Sequence, residues 1–152
     1  MSGKKVGLTK DNMPGLDEIE LDPIYLSDEE KRIIDEQLAG AQGRDLEPLI
    51  ADYVRAINKF PFISTIRSCE GHGFPGHISF RFKQGWHERF METGIKPLIE
   101  KSLCHIYLEV GTWLKTRTGL YFRWNARFRE DKRDEFFKEF IEWLKQESSS
   151  GV

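Results

Sequence analysis

Between residues 46 and 57, Leu46, Leu49, Ile50, Tyr53, Val54 and Ile57 recur at i, i+3, i+4, i+7, i+8 and i+11. This is the stripe of an amphipathic helix with one buried face. Pro61 ends that helix by driving Phe60 out of helical geometry. An earlier helix opens on Ser27-Asp28-Glu29-Glu30, a capping box with Ser27 as N-cap and Glu30 at N3. Ile33, Ile34 and Leu38 are its stripe, and Gly40 is its expected stop. Period-2 alternation takes over downstream. Phe62 to Ser68 is rich in strand formers, and His77 to Lys83 alternates strictly, with Ile78, Phe80 and Phe82 on one side. Trp86 to Ser102 reads as a helix that Gly94 and Pro97 should kink. Ile106, Leu108 and Val110 then alternate with His105, Tyr107 and Glu109. Phe122, Trp124, Ala126 and Phe128 alternate with Arg123, Asn125, Arg127 and Arg129, after an expected turn at Thr116 to Gly119. A final helix from about Lys132 to Gln146 places Phe136, Phe137, Phe140, Ile141 and Leu144 inward.

The order ααββαββα, with strands in adjacent hairpins, predicts an α+β fold. We expect a mainly antiparallel sheet of about four strands with the helices on one face. Residues 1–15, broken by Gly3, Gly7, Pro14 and Gly15, are expected to form a mobile arm, residues 16–147 a single domain, and residues 148–152 a frayed tail.

Composition narrows the class. A chain of 152 residues buries roughly 68–70% of its unfolded surface, enough for a core without disulfides. Eleven Phe and four Trp argue against disorder. No apolar run reaches the length of a membrane helix, no secretory h-region follows Met1, and Cys69 and Cys104 make no disulfide framework. A cytoplasmic protein without membrane association is the expectation.

Charge sharpens the picture. Residues 1–50 carry a balance of −6 and residues 51–152 one of +4. The strand pattern concentrates the basic excess. One sheet face collects Thr65, Arg67, His77, Ser79, Arg81, Lys83, His105, Tyr107, Glu109, Arg123, Asn125, Arg127 and Arg129, with six Lys/Arg against one acid. A solvated face ordinarily mixes both signs. This one predicts an anionic ligand, either RNA or a nucleotide. Cover by the acidic residues 11–30, or by a second copy in a homodimer, would answer the same charge.

The loop Cys69 to Gly76 is longer and more glycine-rich than a hairpin requires. Glycines let a ligand approach backbone N–H groups. On the binding reading, Arg67, Arg81, Arg123 and Arg127 hold phosphate or carboxylate as bidentate donors. His77, Gly71 and Gly73 complete the binding set, and Cys69, Glu70 and His72 face the reacting group. The same loop admits two other readings. Cys69, His72 and His77, with Cys104-His105 supplying a fourth donor, could hold a zinc-type metal in a metal-dependent enzyme. Cys69 beside a histidine and Arg67 could be a thiol of lowered pKa. His87, on the following helix, is expected at the surface.

Ile57-Asn58, Thr65, and Ser68-Cys69-Glu70-Gly71-His72 followed by an apolar strand resemble a segment of the tRNA wybutosine-synthesis methyltransferase family, the third enzyme of that pathway. The family has Ser and Arg where this chain has Glu70 and His72, and the resemblance covers about a quarter of the chain. It implies S-adenosylmethionine binding and methyl transfer to a tRNA base. Similar Ser-Cys-Glu-Gly-His segments occur in small bacterial proteins of unassigned function.

Overall fold

The computed structural model describes residues 25–41, 46–112 and 120–150. The expected arm, the turn at Thr116 to Gly119 and the last two residues lie outside them. The described chain is α+β. Helices α1 (Asp28–Ala41) and α2 (Ala51–Asn58) precede strands β1 (Ile63–Cys69) and β2 (Gly76–Phe82). Helices α3 (Trp86–Arg89) and α4 (Ile95–Glu100) follow, joined by a π-helical turn at Phe90–Gly94. Strands β3 (His105–Thr112) and β4 (Leu120–Phe128) come next, and helix α5 (Arg133–Ser149) closes the order. The four strands form one antiparallel sheet in the order β1-β2-β4-β3. Among the described residues no helix is long and apolar enough to cross a membrane.

The core is aromatic. Phe80 and Phe82 from β2 meet Phe90, Phe140 and Trp143, with ring centroids 4.9–6.0 Å apart. Phe128 stacks on Phe136 at 5.2 Å. Offset and edge-to-face ring pairs of this kind add to the burial energy. The kink expected between Trp86 and Ser102 is the π-helical turn. A side chain at Gly94 would meet the Phe90 ring at 2.4 Å and Trp143 at 3.0 Å, so glycine lets this helix lie against α5.

Several expectations change. α2 starts at Ala51, leaving Leu49 54% exposed. Pro48, just ahead of it, restricts Glu47 to extended geometry. Val110, expected inward, is 53% exposed, since β3 is an edge strand. His87 is buried, with its Nδ1 accepting a hydrogen bond from Trp124 Nε1 at 3.2 Å. α5 runs through Ser149, so residues 148 and 149 are helical.

Two changes bear on the polar sheet face. The β1–β2 register shifts between Thr65 and Arg67, a bulge that sets Ile66 aside. Thr65 is thereby paired with Phe80 and turned to the helix side. There its N–H donates to Asn58 Oδ1 (3.0 Å) and its hydroxyl accepts from Asn58 Nδ2 (2.8 Å). Beyond the bulge, Arg67 and Cys69 return to the polar face opposite Ser79 and His77. Second, α1 departs from the other helices. The Ser27 hydroxyl caps it, accepting the Glu30 N–H at 3.0 Å. The Glu30 carboxylate, expected to close the capping box, is spent instead on Arg81. Arg81 alternates with Phe80 and Phe82, so α1 reaches the polar face of the sheet.

Candidate functional site: a basic sheet face and a glutamate–cysteine–histidine cluster

The polar face has two unlike ends. At one, Arg81 is 1% exposed and so is its partner Glu30. The Arg81 Nε also donates to the Phe122 carbonyl at 3.1 Å. Lys83 pairs with Asp28. Arg81 is therefore not a free anion donor, which corrects its place in the expected binding set. The acidic cover anticipated from residues 11–30 is present at this end through Asp28 and Glu30. Arg123 is likewise engaged. Its Nη2 and Nε donate to Glu109 Oε1 at 2.5 and 3.1 Å. Asn125 donates to the same oxygen at 3.1 Å and accepts from the Ser79 hydroxyl at 2.6 Å. Arg123, through its hydrogen bonds first, holds the Glu109 carboxyl below its ordinary range.

The other end is open. Cys69 on β1 is paired with His77 on β2, His77 with Arg127 on β4, and Arg127 with His105 on β3. Cα partners share a sheet face, so these four residues form a row across all four strands. The next row is Arg67, Ser79, Asn125 and Tyr107. Tyr107 is 45% exposed and its ring lies 5.9 Å from that of His105. Among the described residues, no carboxylate lies within ion-pair distance of Arg67 or Arg127. Burial, and then the charges of Arg67 and Arg127, push the His77 pKa down. Where β4 ends and β3 begins, a groove of about 630 Å³ continues this row. Arg127, His105, Arg129 and Lys132 line it together with Ile99, Leu103 and Phe128, and no carboxylate does.

The loop after β1 is tied down by its own polar groups. The Glu70 N–H donates to Glu47 Oε1 at 2.8 Å, and the Leu49 N–H donates to Glu70 Oε1 at 2.9 Å. This reciprocal exchange joins the loop to the start of α2. Arg133 donates to the Glu70 carbonyl at 3.0 Å, and the Gly73 N–H to Glu130 Oε1 at 3.1 Å. Gly71 and Gly73 take φ of 101° and 81°, values that favour glycine. At Gly71 a Cβ would also meet the Phe74 carbonyl at 2.8 Å.

This bracing gathers Glu47, Cys69 and His72. Their ligating atoms all lie within 4.8 Å of one another. His72 Nε2 meets Glu47 Oε2, and the Cys69 sulfur lies within 4.8 Å of both ligating atoms. The Glu70 N–H, first among several donors, lowers the Glu47 pKa. Burial raises that of Cys69, with Glu47 and Glu70 adding to it. The shift runs opposite to the one that the activated-thiol reading of the loop calls for. Cys104, pushed up to about 12 by burial, is no thiolate either. His77 and Cys104, expected as co-ligands, stand outside the cluster, while Glu47 was not anticipated. Pro48 carried a signal for it, by excluding Glu47 from the helix. Asn58 and Thr65, two residues of the family-like segment, have a structural role in anchoring β1 to α2. No family model matches the sequence, and neither a curated protein nor a solved structure does.

Proposed function

We propose that this protein binds single-stranded RNA across the open end of its polar sheet face. The observation that carries the reading is Arg67 and Arg127, flanked by His77 and His105 on the same face, two arginines without an ion-pair partner among the described residues. Arg67 and Arg127 hold phosphates. Tyr107 and His105 offer ring faces on which bases stack, an interaction worth about 1–3 kcal/mol per base. Antiparallel sheets that read RNA commonly do so with aromatic side chains on the exposed face. The groove beside Arg127, with apolar walls at Ile99 and Phe128 and a cationic rim, suits a base whose phosphate stays on the sheet. The methyl transfer implied by the loop resemblance would add an S-adenosylmethionine site, for which the segment Ser68 to His72 is the sole argument.

The test is anisotropy of a short labelled single-stranded RNA, alongside calorimetry with adenine nucleotides, at low and near-physiological salt. RNA affinity should fall with salt at a slope of about −0.7 per phosphate contacted. Replacing Arg67 and Arg127 together by alanine should flatten that slope by about one to two units. A nucleotide bound with a shallow salt slope, and no RNA binding, would move the reading to a small-molecule site. No binding of either at low salt overturns it.

A further inference from the structure

We infer that Glu47, Cys69 and His72 form a binding site for a zinc-type divalent cation at the head of the basic row. The inference goes beyond RNA binding and stands without it. Three different donors, a carboxylate oxygen, a sulfur and an imidazole nitrogen, converge from two stretches of chain, the approach to α2 and the loop after β1, to within 4.8 Å of one another. A tetrahedral zinc site holds such donors about 3.5 Å apart, so an ion seats by parting the His72–Glu47 contact, with the Cys69 sulfur already within 4.8 Å of both. The bracing is already in place. The Glu70 N–H fixes Glu47 through Oε1 and leaves Oε2 turned to His72. Supporting contacts of this kind orient ligands and tune affinity.

The donor set selects the ion. A thiolate with an imidazole favours zinc or a similar borderline-soft cation over magnesium or calcium, which take oxygen ligands. Three protein ligands leave a fourth position for water or a bound group, the arrangement of open zinc sites. His72 is half exposed and Glu47 partly so, which gives an ion a path in from solvent. On binding, the Cys69 sulfur–hydrogen bond breaks, a sulfur–metal bond forms, and the proton leaves to solvent. Glu47 binds as the carboxylate, and at His72 the proton on the Nε2 that meets Glu47 moves to Nδ1, which frees the Nε2 lone pair for the ion. No electron is transferred.

The experiment is cobalt(II) titration of the full chain without an affinity tag. One cobalt per chain should produce a near-ultraviolet thiolate-to-cobalt band and the intense visible bands of tetrahedral cobalt, and zinc should erase both. Cys69→Ser should remove the thiolate band, and Glu47→Gln or His72→Gln should weaken binding by more than about tenfold. In the unaltered protein, zinc should slow alkylation of Cys69, read by mass spectrometry, without changing that of Cys104. This keeps the test decisive if a variant fails to fold. Absence of the thiolate band at saturating cobalt overturns the site, as does a band that survives Cys69→Ser, or no protection of Cys69 by zinc. None of these readouts involves RNA, so the two readings fail separately.

Discussion

Arg81 and Arg127 occupy equivalent places, outward positions on the two inner strands of one sheet, and meet opposite fates. Arg81 lies under α1, sealed against Glu30, while Arg127 stands exposed beside two histidines. Their own strands read alike, so the difference comes from elsewhere in the chain. Leu26 donates its N–H to the Phe82 carbonyl at 2.9 Å, and this docks the start of α1 beside β2. Two acids of the first helical turn then neutralise the adjacent cations. α1 uses its acids at one end, and the net basic excess of the face is left at the other. A basic strand pattern therefore marks where cations are, and the neighbouring elements decide which are free to bind.

The sharpest way to break this comparison is to remove each arginine in turn. Arg81→Met removes the arginine that the buried Glu30 carboxylate pairs with and should cost about 3–5 kcal/mol in urea unfolding. Adding Glu30→Leu to Arg81→Met should restore most of the loss, because a buried ion pair contributes little against apolar residues of similar size. Arg127→Met should change stability by less than about 0.5 kcal/mol, as exposed substitutions do. Equal costs for Arg81→Met and Arg127→Met would erase the distinction between the two ends.

A middle-sized effect concerns what holds β1 in register. Asn58 satisfies the Thr65 N–H and hydroxyl and donates to the Val54 carbonyl at 2.8 Å. Its own carbonyl accepts from Lys31 at 2.7 Å. Asn58→Ala leaves buried polar groups unpaired and should cost about 1–3 kcal/mol. The bulge this amide supports returns Arg67 to the open face. Asn58→Ala should therefore also reduce the effect of Arg67→Ala on RNA binding. An unchanged Arg67 contribution in that background would show the register to be set without Asn58.

The α+β class and most strand faces were legible in the sequence, because strict alternation such as Ile78, Phe80 and Phe82 against His77, Ser79 and Arg81 has one physical solution. Where local pattern and tertiary contact competed, the pattern failed. Thr65 follows the alternation of β1, but a single unpaired residue, Ile66, separates it from the face of Arg67. The run from Leu46 carries helical spacing, yet the helix starts only after Pro48, and ahead of it the Glu47 carboxylate accepts the Glu70 N–H while the Glu70 carboxylate accepts that of Leu49. Cys69 and His72 stood out by residue type, since a thiol and an imidazole in a glycine-rich loop are conspicuous. Glu47 did not, because one acid among the 12 in the first 50 residues has nothing local to distinguish it.

The smallest effect separates the two ends by pH. His87 is buried beneath the covered end, stacked on Phe122 at 4.9 Å and edged by Tyr25 at 5.5 Å. Tyr25 also donates to Glu88 Oε2 at 2.7 Å, latching the chain ahead of α1 over this histidine. Burial lowers the His87 pKa, and among the described residues the charge of Glu88 acts in the other direction. Protonating Nδ1 would also abolish the hydrogen bond it accepts from Trp124. The unfolded imidazole, near 6.5, then takes up a proton before the folded one does. The unfolded state binds more protons in that window, so stability present above about pH 6.5 is lost as pH falls toward the folded value. The range from about pH 7.5 to 5.5 spans that window. His77 contributes with the same sign, since its pKa is lowered too. His87→Gln keeps an acceptor for Trp124 and removes the titration. Its Tm should fall by a few degrees less across this range than that of the unaltered protein, the scale on which about 1 kcal/mol registers for a chain of this size. Amide exchange should show the loosening at residues 25–35 first, with a smaller response around His77 in the row of Arg127. Loosening that begins instead around Cys69 and His77 would mean that the open end, and not the covered one, responds to acid.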